Sequence, residues 1–310
     1  MNRCPITYQE CGARKYSRQG LRLLSPQLNE DLEFPFTAAE QLSLVGQYAD
    51  KLSIGGIQPK LSVRLNISKH TLEPVEARGV FIVKPQHPVY PSLPEIEDLT
   101  MRLAALAGMD VPFHCLVYGS DNSLCYLVRR FDRYGRGKKY AVEDFSQLSG
   151  HNRDTKYDSS MEQLVPIIDS HCSFPLLEKV KLFRMTLFCF LVGNEDMHLK
   201  NFSLIRRPEK IELSPAYDLL NSTIVIRGKD ELALPLKGKR SKLTRALLCD
   251  YYGSERLRLN QGVIETELQS LAQAYLGWGT VIDSSFLPEK MRESYKDLLD
   301  ERSQRLFGSA

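Results

Sequence analysis

The sequence predicts an α+β fold of two lobes, a sheet-rich N-lobe over residues 1–130 and a mostly helical C-lobe over residues 131–310. Three observations carry this. Short β-patterned runs broken by glycine and proline crowd the first half, and helix-periodic stretches fill the second. The character changes after Arg133, where a long polar segment, "DRYGRGKKYAVEDFSQLSGHNRDTKYDSS", reads partly as surface loop. A chain of 310 residues, 43% hydrophobic and 25% charged, has the size and composition for such a globular core.

Residues 1–35 read as a loose lead-in, with Pro5, Gly12, Gly20, Pro26 and Pro35 as breakers. "TAAEQLSLVGQYA" follows as a short helix, Thr37 and Glu40 forming a capping-box pattern. "KLSIGGIQPKLSVRLN" is two β-like runs flanking Gly55, Gly56 and Pro59, and "GVFIVKP" is a short buried strand ending at Lys84. In "EIEDLTMRLAALAG", Leu99, Leu103 and Leu106 are helix-spaced and Gly108 stands at the C-cap position. "FHCLVYG" and "SLCYLVRRF" pair around the turn signal "SDN". Beyond residue 160, helices are expected over 161–171, 175–192, 241–252, 260–276 and 288–306, with "FSLI" and "KIELS" as a hairpin.

The net charge of +3, with basic and acidic residues interspersed, argues against a dedicated nucleic-acid-coating surface. The seven cysteines are scattered, none in a C-x-x-C pair, and read as buried thiols in a reducing compartment. The N-terminus lacks the apolar stretch of a secretory signal, and "MTLFCFLVG" is half of what a bilayer span needs. A cytoplasmic protein without direct membrane association is expected, delivery into another cell through a receptor-read signal staying open.

The chemistry concentrates in "GNEDMHLKNFSLI", residues 193–205. Asp196 and Asn201 have the spacing D-x-x-x-x-N, which puts a carboxylate toward an attacking hydroxyl and a carboxamide toward a metal. The hairpin behind them returns Asp218 of "SPAYDLL" beside Asn201, and two hard oxygen ligands suit Mg²⁺ on nucleotide phosphates. Upstream, the paired glycines allow close approach of backbone N–H groups to an anion. Lys84 ends a strand after that turn, as the phosphate-binding lysine of kinases does. Glu97 is a candidate to orient it, with Glu95 and Asp98 competing. The backbone of Arg129 to Phe131 offers hydrogen bonds to an adenine edge. Gly turn, strand Lys, helix acid, D-x-x-x-x-N, hairpin and Asp follow the order of protein-kinase-like enzymes, without G-x-G-x-x-G, H-R-D or D-F-G.

"GGIQPK", "FIVKP", "EDLTMRLAALAG", "RRFDR", "VEDFSQL", "GNEDMHLKNFSLI" and "LSPAYDLL" together resemble the HipA-type serine/threonine kinases of bacterial toxin–antitoxin systems, most of all the short HipT form. The resemblance implies a protein-kinase-like bilobal fold that uses ATP and Mg²⁺. Asp196 would be the base, and Asn201 and Asp218 the metal ligands. Gly55, Gly56, Ile57, Gln58, Pro59, Lys84, Arg129, Phe131, His198, Lys200, Asn201, Tyr217 and Asp218 would line the nucleotide. Ser53, before the Gly-rich turn, would be the autophosphorylation site, where nearly two added charges would repel the ATP phosphates. Relatives often carry Ser-x-Ser there; here the second position is Gly55.

The implied partners are an aminoacyl-tRNA synthetase as substrate and a HipB-like DNA-binding antitoxin or a small HipS-like protein. Nucleic acid would be reached only through the antitoxin. A kinase of the same fold acting on a small molecule or lipid, and a non-catalytic nucleotide-binding regulatory module, are the alternatives. The basic run "KGKRSKLTR" at 237–245 reads first as a solvated helix start, and Trp278 as lobe packing.

Overall fold

A computed structural model describes residues 2–48, 58–135, 137–151, 155–226 and 228–308. Ser53, Gly55, Gly56 and Ile57 therefore lie outside the described residues. The chain divides into two compact units. The first comprises Met1–Leu99, Pro112–Arg133 and Ser284–Leu287; the second comprises Thr100–Val111, Tyr134–Asp283 and Pro288–Ala310.

The first unit opens with a ribbon of β1 (Asn2–Arg3) and β2 (Glu10–Gly12), followed by helices α1 (Arg18–Leu24) and α2 (Ala38–Tyr48). Its main sheet is built from β3 (Leu61–Asn66), β4 (Thr71–Pro74), β5 (Phe81–Lys84), β6 (His114–Tyr118) and β7 (Leu124–Arg129), with helix α3 (Leu93–Leu106) between β5 and β6 in sequence. All neighbours are antiparallel, in the order β4-β3-β5-β7-β6. The capping box of α2 is present: Glu40 N–H donates to Thr37 Oγ1 at 3.2 Å and Thr37 N–H to Glu40 Oε2 at 2.8 Å. Strand β4 had no period-2 signature in the sequence; its register places Glu73 opposite Arg64, and the two form a 2.8 Å ion pair.

The N-terminal segment is not a loose lead-in. Cys4, Ile6, Tyr16, Leu21, Leu24, Leu28, Leu32 and Phe34 are buried in one core with Val63, Val83, Cys115 and Leu127 of the sheet. Tyr16 O–H accepts the amide of Tyr118 at 2.8 Å, and Ser17 caps α1 through Gly20 N–H. Its apolar residues are spread over a two-stranded ribbon, the short helix α1 and the turns between, each piece too short for a clear period.

In the second unit, β8 (Arg133–Tyr134) and β9 (Lys138–Lys139) form a small ribbon before β10 (Ala141–Asp144) and helix α4 (Phe145–Leu148). Asp144 and Gln147 close a second capping box at the start of α4. Then come α5 (Leu164–His171) and α6 (Pro175–Val192), followed by β11 (Ser203–Arg206), β12 (Ile211–Leu213) and α7 (Thr223–Ile226). Strands β11 and β12 form the expected hairpin, and β10 extends it to three strands by pairing with β11.

Helices α8 (Gln261–Asp283) and α9 (Glu289–Phe307) complete the unit. Helix α6 is apolar through its second half because Leu182 through Val192 are nearly all buried. Trp278 packs edge-on against Phe188, its ring fully buried. The helix expected over 241–252 is corrected. Lys242 is left-handed, at φ +55, which stops a helix there, and the wound segment is a π-type stretch over Leu247–Arg256.

Glu231 fastens the chain before that stretch to α9. It accepts from Arg305 at 2.8 and 3.0 Å and from Leu243 N–H at 2.7 Å, and lies 3.6 Å from the buried Arg302. Burial pushes its carboxyl up, but Arg305 and the Leu243 amide outweigh this and hold it below its ordinary value of 4.5. A depressed acid stabilises the fold above its unfolded value and loses that contribution as pH falls through the folded one. The melting temperature should therefore fall below about pH 4.5, and Glu231→Gln should flatten that dependence in thermal melts. Glu231→Ala should cost about 2–4 kcal/mol in denaturant unfolding, because it removes the carboxylate 3.6 Å from the buried Arg302.

Candidate active site

In the first unit, Lys84 is the last residue of β5 and is 3% exposed. A buried ammonium needs a partner, and three acids on α3 are placed to supply one. The structure distributes them. Glu97, itself 2% exposed, accepts from Lys84 Nζ at 2.5 Å. Glu95 is held through both oxygens by Gln86 Nε2 at 3.0 Å, and burial pushes its carboxyl up. Asp98 is paired with His114 Nδ1 at 2.8 Å. Glu97 is thus the orienting acid.

Gln58 and Pro59, the described end of the Gly-rich turn, lead directly into β3. Two amides of the segment expected to face an adenine are already bonded. Arg129 N–H donates to Phe113 O at 2.8 Å, and the next amide, Arg130 N–H, donates to Val80 O at 2.9 Å. Both amides are thus bonded within the first unit. The Arg129 guanidinium lies 5.3 Å from the ring centres of Phe81 and Phe113 and donates to Leu24 O, which makes it a packing residue. Phe131 sits half-buried in the turn after β7.

In the second unit, the acid loop begins where α6 ends. Gly193 caps that helix in the left-handed conformation, φ +67. A Cβ there would meet Leu298 Cδ2 at 2.5 Å and Thr223 Oγ1 at 2.6 Å. Left-handed strain of about 1–2 kcal/mol adds to that crowding. Gly193→Ala should therefore lower the melting temperature markedly, a result read by calorimetry.

The next residues are pinned one by one. Fully buried Asn194 accepts the Asp196 amide on Oδ1 at 3.1 Å. Glu195 N–H donates to Ser222 Oγ at 2.8 Å, and its carboxylate accepts from Thr223 Oγ1 at 2.6 Å. Asn201 Nδ2 donates to the Asp196 carbonyl at 2.9 Å, closing the loop on itself. In consequence the Asp196 side chain is held at a tight turn and stays 51% exposed.

Two neighbours were not legible in the sequence. Tyr157 donates its hydroxyl to Asp196 Oδ1, and Lys156 Nζ lies 2.7 Å from His198 Nε2. A protonated lysine only donates, so Nε2 accepts and the His198 proton sits on Nδ1. Burial lowers the affinity of His198 for a second proton, against the pull of Asp196. Nδ1 is buried and has no hydrogen-bond partner among the described residues.

The β11–β12 hairpin brings the remaining residues back. Tyr217 donates to Lys200 O at 2.9 Å and bonds Ser203 Oγ at 2.5 Å, so its hydroxyl is committed to holding the hairpin. Asp218 follows in the left-handed region at φ +55, close enough for its charge to act on His198.

Among the described residues, no group of three or more His, Cys, Asp or Glu converges as a metal cage. The donor set fits a cation of another kind. Asn201 uses its Nδ2 within the loop, which leaves the carboxamide oxygen as its acceptor, and Asp218 adds a carboxylate. Two hard oxygens suffice for Mg²⁺, which takes its other ligands from phosphate and water. Beside them, the buried Nδ1–H of His198 is a donor with no acceptor among the described residues.

Five of the seven cysteines are buried, as expected. No helix of the described residues is long and apolar enough to cross a membrane.

Comparison with known proteins places this arrangement. Residues 52–278 match the HipA-like C-terminal domain family. A protein of Haemophilus influenzae, provisionally named as a kinase, is 31% identical over 304 residues, covering 88% of this chain and 87% of its own. The serine/threonine-protein kinase toxin HipA of Shewanella oneidensis is 29% identical over 206 residues, 60% of this chain and 47% of that protein. The chain thus spans about half the length of that toxin. The solved complex of Shewanella oneidensis HipA with HipB and operator DNA superposes with a TM-score of 0.70, covering 91% of this chain and 73% of that one at 24% identity. It shows the kinase-like α+β fold. By its match over most of its length, the chain belongs to the HipA-like C-terminal domain family, a family of kinases.

Proposed function

We propose that this protein transfers the γ-phosphoryl group of ATP to a serine or threonine hydroxyl of a protein, as a short HipT-like toxin kinase. The observation that carries the reading is the loop 193–201. One half-exposed carboxylate, Asp196, is fixed by backbone and side-chain bonds, and Asn201 is tied to its carbonyl.

Asp196 takes the proton of the attacking hydroxyl. The hydroxyl oxygen bonds to the γ-phosphorus, the bond to the β-phosphate bridging oxygen breaks, and ADP leaves with that electron pair. Asn201 and Asp218 hold Mg²⁺, which when bound neutralises phosphate charge. Lys84, oriented by Glu97, serves the nucleotide phosphates, with Gly55 to Pro59 along the turn. His198 Nδ1–H and the Lys200 segment contact the nucleotide, and the backbone of Arg129 and Phe131 carries the adenine contact. Ser53 is the autophosphorylation site.

The substrate is an aminoacyl-tRNA synthetase. Because the Shewanella oneidensis HipA structure contains HipB and operator DNA, a HipB-like antitoxin is the partner to seek first, and a small HipS-like protein the second. Phosphoproteomics after brief expression, compared with Asp196→Asn, tests the reading. A serine or threonine phosphosite on a synthetase, seen only with the parent protein, is the expected result. Label confined to small molecules or lipids would replace it with a kinase of the same fold and another substrate class.

A further inference from the structure

We propose that Tyr157 and Lys156 are positioning residues of the transfer reaction. Tyr157 fixes the base carboxylate by one oxygen, and Lys156 fixes the tautomer of His198. The inference rests on the kinase reading and deepens it.

The segment carrying both residues docks on the acid loop from about 40 positions upstream. Besides the Tyr157–Asp196 and Lys156–His198 bonds, Leu199 N–H donates to Lys156 O at 3.3 Å. The Tyr157 ring meets the His198 ring edge-on at 5.0 Å, and Lys156 Nζ stands 4.9 Å from the Tyr157 ring centre. These contacts are not spread evenly over the base. Tyr157 addresses Asp196 Oδ1, and His198 Nε2 lies 3.9 Å from the same oxygen. Among the described residues, Oδ2 carries no hydrogen bond.

A carboxylate has acceptor sites on both oxygens, so occupying Oδ1 leaves Oδ2 to receive the substrate proton. An exposed aspartate otherwise samples several rotamers, most of them unproductive. Tyr157 removes that freedom before substrate arrives, which is the pre-organisation that lets one proton acceptor work efficiently. Lys156 acts at the neighbouring residue. By donating to Nε2 it forces the His198 proton onto Nδ1, the buried nitrogen without a partner in the chain. Without Lys156 the ring is free to take the other tautomer and present an acceptor where the nucleotide reading requires a donor.

The test uses the full chain, γ-labelled ATP and a bacterial lysate, with acid-precipitable label as readout. Tyr157→Phe keeps the ring packing and removes only the hydroxyl. It should lower kcat about 10- to 100-fold with KM for ATP within twofold and the melting temperature unchanged. Lys156→Met should raise KM for ATP several-fold, and Lys156→Arg, which still only donates, should restore most of it.

Parental kcat in Tyr157→Phe would overturn the assignment. So would a loss that tracks a lowered melting temperature, since the contact would then be structural. Phosphate found on Tyr157 itself would make it an acceptor and overturn positioning as well. No transfer by the parent protein to any acceptor would bring down the kinase reading together with this one; parental transfer beside an undiminished Tyr157→Phe would bring down this one alone.

Discussion

Asp196→Asn is expected to reduce phosphoryl transfer by about 10²- to 10⁴-fold while leaving the fold intact, the range that removal of a positioned general base produces. The structure gives a reason to expect a clean result. Asp196 is half exposed, and the loop is held through its backbone: its N–H by Asn194, and its carbonyl by Asn201 and the His198 amide. An asparagine keeps all of these and can still accept from Tyr157 through its carboxamide oxygen. What it cannot do is take a proton. Melting temperature and nucleotide affinity should stay near the parental values, and the defect should appear in kcat.

The second large effect lies in the first unit. Lys84 and Glu97 are both nearly fully buried and 2.5 Å apart, so each makes the other tolerable in a medium of low dielectric. Glu97→Gln or Lys84→Met alone breaks this buried ion pair while leaving the other charge inside, at a cost of about 3–5 kcal/mol. Replacing both, as Lys84→Met with Glu97→Leu, removes the charges together and should recover much of that loss in denaturant unfolding. On the proposed reading phosphoryl transfer should not recover, because Lys84 is the residue assigned to the nucleotide phosphates. A double variant as unstable as the singles would mean that packing, not charge, decides the site. A double variant with parental activity would remove Lys84 from the reaction.

The parts of the site that were legible in the sequence are those written in short spacings. D-x-x-x-x-N, the hairpin behind it and the terminal lysine of a hydrophobic strand each lie within a few residues, and the structure places them on one loop, one hairpin and one strand end. Glu97 was legible only as one of three acids, because Glu95, Glu97 and Asp98 share the first turns of one helix. The choice was made by partners outside the helix, Gln86 and His114.

Tyr157 and Lys156 were illegible for the same reason. They sit in a polar loop, and their meaning depends on residues about 40 positions further on. Arg129 is another place where long-range partners were hidden from the sequence. The backbone of Arg129 to Phe131 was expected to face an adenine edge, whereas the Arg129 and Arg130 amides donate within the first unit and the Arg129 guanidinium packs against two phenylalanine rings. The N-terminal segment hid its role because its ribbon and its seven-residue helix are each too short to show a period.

The most direct measurement of the central claim is transfer of label from γ-labelled ATP by the purified chain, with Mg²⁺ present, followed by phosphoamino-acid analysis. The account expects label on serine or threonine of a protein, dependent on Mg²⁺ and lost in Asp196→Asn. ATP bound but never turned over by the parent protein, or equal labelling by Asp196→Asn, would contradict it.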